Sequence, residues 1–321
     1  MGRYLARRSF FLVLSLAVGM VVIFLLLRLL PGDPANALLS IHATPEQIAA
    51  AREQVNADQP VATQLAEWTS QVLRGDLGSS FISGQEVLPD IAARLGVTLP
   101  LTLIAFTISV LLAAVLGFLA AYRADTWYGT LFTGVAQVGI AVPVFWVGTI
   151  FVWIFALRLG LLPSGGFPRG GWADPAAALR SLALPVATIV TVMTASLTRY
   201  VRSAVLDVLG SDHLRTARAL GAGPLDAFAR HGLRNAAVPV IAIMGVELAS
   251  TLLGAVVIES VFTLPGLGSM LTRAIAQHDY PVIQGVLLVT TIFVLLVGFL
   301  ADVTQRLVDP RLQATITGAH V

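Results

Sequence analysis

Two residue types are missing from the 321-residue chain: it has no cysteine and no lysine. Without cysteine there is no disulfide, no thiolate nucleophile and no cysteine metal site. Without lysine there is no Schiff base and no phosphate-binding lysine of the Walker A kind, so any ATP hydrolysis the chain serves must occur on another chain. Charge of either sign is also scarce. Only 12% of residues are charged, against about 25% in an ordinary soluble domain. The net charge of +2 leaves no basic surplus that would suit nucleic acid. What fills the chain instead is apolar: 56% of residues are hydrophobic, with a mean hydropathy of +0.83. The composition predicts an all-α polytopic membrane protein.

Six apolar runs are long enough for the ~20 residues that a bilayer requires. They cover about Phe10–Leu30, Val97–Tyr122, Thr130–Leu157, Ser181–Leu197, Ala236–Phe262 and Gln284–Leu307. The first follows Arg3, Arg7 and Arg8 but has no small-residue cleavage site after it, so it is read as a retained span. Arg28 would snorkel at its far end. Pro143, near the middle of the third run, predicts a kink. Residues 1–96 form the first span plus an external helical insert. Residues 97–308 form the core of the other five spans, with a loop at 199–235, and residues 309–321 a tail. Within the insert, Thr44-Pro45-Glu46-Gln47 has the form of a capping box. Val61, Leu65, Trp68 and Val72 mark a second helix. Arg74-Gly75-Asp76 spells an adhesion tripeptide, a triplet that arises by chance.

Arginine placement fixes the orientation. Arg3, Arg7, Arg8, Arg123, Arg199, Arg202, Arg215, Arg218, Arg230, Arg234, Arg306 and Arg311 all fall on one side, most of them in short segments near span ends, where the positive-inside bias counts. Both termini are therefore expected in the cytoplasm. No internal repeat is evident.

The stretch Tyr200–Pro239 is the basic, amphipathic interruption. Ser211 is a plausible N-cap for a helix from Asp212 to Leu220, with Asp212 at the positive end of the helix dipole. Gly221 suits the left-handed position after that helix. Pro224 starts a second helix on which Leu225, Phe228, Ala229 and Leu233 recur at helical spacing, with Arg230 and Arg234 on another face. By composition alone such a loop could serve only to set topology.

TARALG followed by RHGLRNAAVP resembles the cytoplasmic coupling loop of permease subunits in binding-protein-dependent ABC importers. More narrowly it is similar to the peptide/nickel branch, the dipeptide and oligopeptide permeases of the B type. Arg215 and Thr216 stand where the general pattern has glutamate and alanine, a departure that suits that branch. LLPGDP, RGDLGSS, ESVFTLPGLGSML, DYPVIQG and the terminal DPRL occur in the same order as in that branch. The resemblance implies that Asp212, Arg215, Thr216, Ala217, Arg218, Gly221, Arg230 and Arg234 dock on and couple to a separate ATPase. It further implies a second homologous permease, two cytoplasmic ATPases that hold ATP and magnesium, and an external binding protein, all at a bacterial cytoplasmic membrane. This chain itself would bind no cofactor and make no covalent change. The implied cargo is di- or oligopeptides, with nickel chelates, glutathione and haem as alternatives.

Glu247 is the most informative ionisable residue inside a span. A carboxylate there costs at least ~2.5–3.5 kcal/mol, so it faces a partner helix or a water-filled path. Ser250, Thr251 and Gly254 continue its stripe, which is assigned to the translocation path; a structural hydrogen bond to a neighbouring helix is the alternative. Gly245 and Ala249 lie on another side, where small residues permit close helix packing. Glu259 is expected near the outer end, where water makes ionisation cheap, with a capping or loop-fixing role rather than substrate contact. His42, His213, His231, His278 and His320 are scattered, without metal-ligand spacing. A self-sufficient secondary transporter or channel is the rival reading, but such proteins often show inverted repeats or paired broken helices.

Overall fold

The computed structural model describes residues 2–29 and 59–308. The capping box at Thr44–Gln47 and the tail at 309–321 lie outside the described residues. Eleven helices are named here in chain order: α1 (Gly2–Leu29), α2 (Val61–Leu73), α3 (Val87–Tyr122), α4 (Trp127–Ala141), α5 (Val144–Phe151), α6 (Pro175–Leu209), α7 (Asp212–Ala219), α8 (Pro224–Ala227), α9 (Leu233–Val261), α10 (Leu267–Gln277) and α11 (Tyr280–Val308). Among the described residues the nearest approach to a sheet is an isolated bridge between Ser79 and Glu86.

Five helical stretches are long and apolar enough to cross a membrane: Gly2–Arg28, Val87–Tyr122, Pro175–Leu209, Pro224–Val261 and Tyr280–Val308. The pair Gly129–Gly139 and Val144–Arg158 makes a sixth if counted as one span, bent by 97°. The kink expected at Pro143 is thus a break. Val142 is extended (φ −88°, ψ 126°) and Pro143 caps the next helix (φ −61°, ψ 134°), since a proline pushes the residue before it out of the helical region. Most of the spans run further than the apolar runs do. Pro175–Leu209 starts earlier because Asp174 accepts a hydrogen bond from the Ala177 N–H (3.1 Å) with Pro175 in the first turn, a capping arrangement that needs no hydrophobicity.

The chain clusters into two compact units, Met1–Leu99 with Thr263–Leu296, and Pro100–Phe262 with Val297–Val321. In the first, Phe24 of α1 stacks on Trp68 of α2 at 6.1 Å between centroids. Arg28 donates to the Gln64 side chain of the insert, and its guanidinium lies over the Phe24 ring of its own helix at 5.3 Å, so the charged head is held between α1 and α2. The Arg-Gly-Asp triplet ends α2. The Gly75 N–H donates to Val72 and the Asp76 N–H to Gln71, both at 3.0 Å, which is a helix stop. Asp279 is only 4% exposed and accepts from Ser80 Oγ (2.5 Å) and the Phe81 N–H (3.0 Å), stapling the chain just before α11 to the turn before α3.

In the second unit α6 is the hub, packed against α4, α5 and α9. Helices approach it where side chains are small. A Cβ on Gly117 of α3 would lie 2.6 Å from Val201 Cβ. The small-residue packing expected at Gly245 is likewise present, since a Cβ there would lie 2.6 Å from Ala301 Cβ. Both contacts are the close backbone approach by which membrane helices associate.

Candidate functional site: an anchored two-helix segment and a carboxyl-bearing cavity

Between α6 and α9 the chain makes a short excursion. α7 carries one large buried side chain, Leu214, 1% exposed, which joins Ala121, Val201, Val205, Val208 and Phe228 in one apolar cluster. Everything polar on α7 therefore turns outward. Arg215, Thr216 and Arg218 are exposed, and Ala217 is half-buried. Asp212 and Arg215 approach to 3.5 Å with both side chains largely in solvent, a pair worth about 0–1 kcal/mol.

α7 ends as expected. Gly221 has φ +96°; its N–H donates to Arg218 C=O (3.0 Å) and the Ala222 N–H to Ala217 C=O (3.2 Å). These two bonds satisfy carbonyls that the helix end would otherwise orphan. A Cβ at Gly221 would meet nothing within 4 Å, so glycine is needed there for its backbone angle alone.

Three details differ from the sequence reading. Ser211 is extended, as an N-cap should be, but makes no side-chain cap. Its hydroxyl donates back to Val208 C=O at 2.5 Å, because the turn from α6 brings that carbonyl within reach first. The second helix is not a separate element. It begins at Pro224 as expected, passes through a π-turn at Phe228–Gly232 and continues as the span ending at Val261. That extra residue in the turn shifts the apolar face. Phe228 packs on Phe118 at 5.2 Å between centroids, and Ala227, Gly232, Ala236 and Val240 are buried with it. Leu225 and Leu233, expected on the same stripe, are 55% and 57% exposed, and Leu220 is 84% exposed. Arg230 pairs with Asp226 at 2.7 Å, and Arg234 donates to Val308 C=O at the end of α11. The excursion is thus a rigid platform with apolar anchors beneath and arginines and leucines above.

Further along α9, Glu247 faces a cavity of about 270 Å³ lined by Val144, Ile189, Val192, Met193, Ser196, Glu247, Ser250, Thr251, Gly254 and Ile258. The hydrogen bond to a neighbouring helix weighed from sequence is present beside this cavity. Glu247 lines the space, and Ser196 Oγ on α6 donates to its Oε1 at 2.8 Å. Thr251 Oγ1 donates to the Glu247 backbone carbonyl at 2.7 Å, so its one proton is committed to the helix. Ser196, on the neighbouring span, was not singled out, because a lone serine in a Thr/Ala/Leu-rich helix carries no signal of its partner. Glu259 corrects an expectation: it is fully buried, not water-facing, because the chain after α5 folds back over this end of α9, where the Gly166 N–H donates to Phe262 C=O (2.8 Å). Among the described residues no group of three His, Cys, Asp or Glu side chains could hold a metal ion.

Residues 113–314 match the family described as "Binding-protein-dependent transport system inner membrane component", and residues 1–102 match its N-terminal counterpart. A putative peptide transport system permease protein of Brucella abortus is 37% identical over 91% of this chain and 93% of its own length. A glutathione transport system permease protein of Salmonella typhimurium is 34% identical over 98% of this chain and 99% of its own. A dipeptide transport system permease protein of Alkalihalophilus pseudofirmus is 32% identical over 96% and 98%. A solved structure titled as inward-facing conformations of the MetNI methionine ABC transporter shares the fold, with a TM-score of 0.54 and 18% identity over 70% of this chain and 96% of that one. The chain belongs to the family of inner-membrane components of binding-protein-dependent transport systems, multi-pass transport subunits that associate with ATPase and substrate-binding partners and are not themselves enzymes.

Proposed function

We propose that this chain is one of two homologous permeases in an ATP-driven importer of di- or oligopeptides at a bacterial cytoplasmic membrane, with both termini in the cytoplasm. Two cytoplasmic ATPases, which hold ATP and magnesium, dock on the segment from Asp212 to Arg234. An external binding protein delivers the cargo. The observation that carries this reading is the platform itself. A helix of eight residues held by Leu214, ended by Gly221 and presenting Arg215, Arg218 and Leu220 outward is an exposed apolar and basic patch of the kind that marks a protein contact. Its base continues without a break into α9, so a push on the platform reaches Glu247 along one continuous helix. ATP-driven closure would then shift the cavity between inward and outward access, through differential contacts in the two states.

Peptide cargo is supported by the names of the relatives, among which glutathione, itself a peptide, is the specific alternative. The test is uptake into vesicles holding both permeases and the ATPases, with the binding protein outside. Uptake of a labelled dipeptide that requires both ATP and the binding protein supports the reading. Uptake without either would assign the chain to the self-sufficient transporters.

A further inference from the structure

Peptides differ in their side chains and share their ends. A path that serves many of them must therefore hold a fixed feature against variable ones. The cavity on α9 is built in that way: its walls at Val144, Ile189, Met193 and Ile258 are apolar, and its one ionisable group is Glu247. Among the described residues no cationic side chain lines it. Resting on the proposal that this cavity lies on the path, we infer that Glu247 receives the terminal ammonium of the cargo, and that the apolar walls take the first side chain without selecting it.

The hydrogen-bond count supports this assignment. A carboxylate offers about four lone-pair positions, and among the described residues the Glu247 side chain receives one donor, Ser196 Oγ at 2.8 Å. Thr251 cannot add a second, because its proton goes to the Glu247 backbone carbonyl. A carboxylate in apolar surroundings is stabilised most by a hydrogen-bonded cation. An ammonium group brings a positive charge and three donors. Size agrees as well. At about 270 Å³, the space lies just below the usual 300–1,000 Å³ range of ligand pockets, so it suits an amino end and one side chain better than a whole oligopeptide. Among the described lining residues there is no cation to pair with the carboxylate end.

The test is direct binding to the assembled permease and ATPase complex in nanodiscs, without the binding protein, so that its own selectivity does not mask the permease. The probes are Ala-Phe and N-acetyl-Ala-Phe, followed by saturation-transfer NMR, on wild type and Glu247→Gln. The wild type should favour the free amine by roughly tenfold or more, the scale of one charge-assisted hydrogen bond, and Glu247→Gln should bind the two alike. Equal binding of both probes by wild type, with both weakened alike by the substitution, would leave the path in place and overturn the ammonium assignment. No binding of either probe, or no effect of the substitution on either, would overturn the path reading with it. Loss of the second permease on purification of Glu247→Gln would make the carboxylate a subunit contact and overturn the assignment as well.

Discussion

The platform at 211–234 and the cavity at Glu247 are built with opposite polarity. In the platform the apolar side chains point in, at Leu214 and Phe228, and the charges point out. In the cavity the apolar walls face the open space and a carboxyl group faces it with them, steadied by one serine. The first arrangement suits a surface that must keep its shape while another protein bears on it. The second suits a space that a solute enters and leaves, where the one ionisable group among the described lining residues keeps acceptor capacity beyond its bond from Ser196.

Leu214→Ala should break the platform with the largest effect. It deletes the single buried anchor of α7, a loss of about 2–5 kcal/mol for a core leucine, more than so short a helix holds from its own bonds. Hydrogen exchange across Asp212–Ala219 should rise to near the unprotected rate while α9 stays protected. Retained protection would mean that the anchor lies elsewhere.

Asp279→Ala sharpens the contrast by touching neither region. It strands the half-buried donors of Ser80 and Phe81, together at about 1–3 kcal/mol since water can reach them in part. The thermal midpoint of the purified complex should fall, with hydrogen exchange in α7 unchanged. A fall confined to α7 would contradict the assignment of Asp279 as a local staple.

Ser196→Ala addresses the cavity alone. It removes one donor to Glu247, about 1 kcal/mol, so assembly and ATPase docking should be intact while peptide uptake shifts several-fold. Unchanged uptake would remove Ser196 from the site. Arg230→Gln should matter least to stability, because its pair with Asp226 is exposed on both sides and such pairs contribute about 0–1 kcal/mol. Its thermal midpoint should match wild type. Any larger fall would mean that the pair is structural.

Much of this was legible in the sequence, and the gaps have physical causes. The spans follow from apolar runs, and the Gly221 turn from a glycine placed after a short polar helix. The span ends do not follow, because helices such as Pro175–Leu209 continue on capping and packing where hydropathy has fallen. The π-turn at Phe228–Gly232 cannot be read from the sequence, since one added residue rotates the face beyond it and turns Leu233 outward; Leu225, before the turn, is exposed on the outer side of α8. Leu214 could have been found: it is the only large apolar residue in DHLRTARA. Ser196 and Asp279 find partners 51 and about 199 residues away, contacts that no local pattern encodes.

The central claim is that the platform passes the ATPase cycle to the membrane helices, and Gly221→Val tests it most directly. At φ +96° a side chain costs about 1–2 kcal/mol, and a β-branched one more. That is enough to tilt α7 but too little to unfold six spans. Gly223, at φ −62°, provides the matched control as Gly223→Ala. Binding-protein-dependent uptake should be largely lost in reconstituted vesicles of Gly221→Val, with insertion and pairing to the second permease intact, and largely kept in Gly223→Ala. Wild-type uptake by Gly221→Val would contradict the account and leave the segment with no role beyond topology.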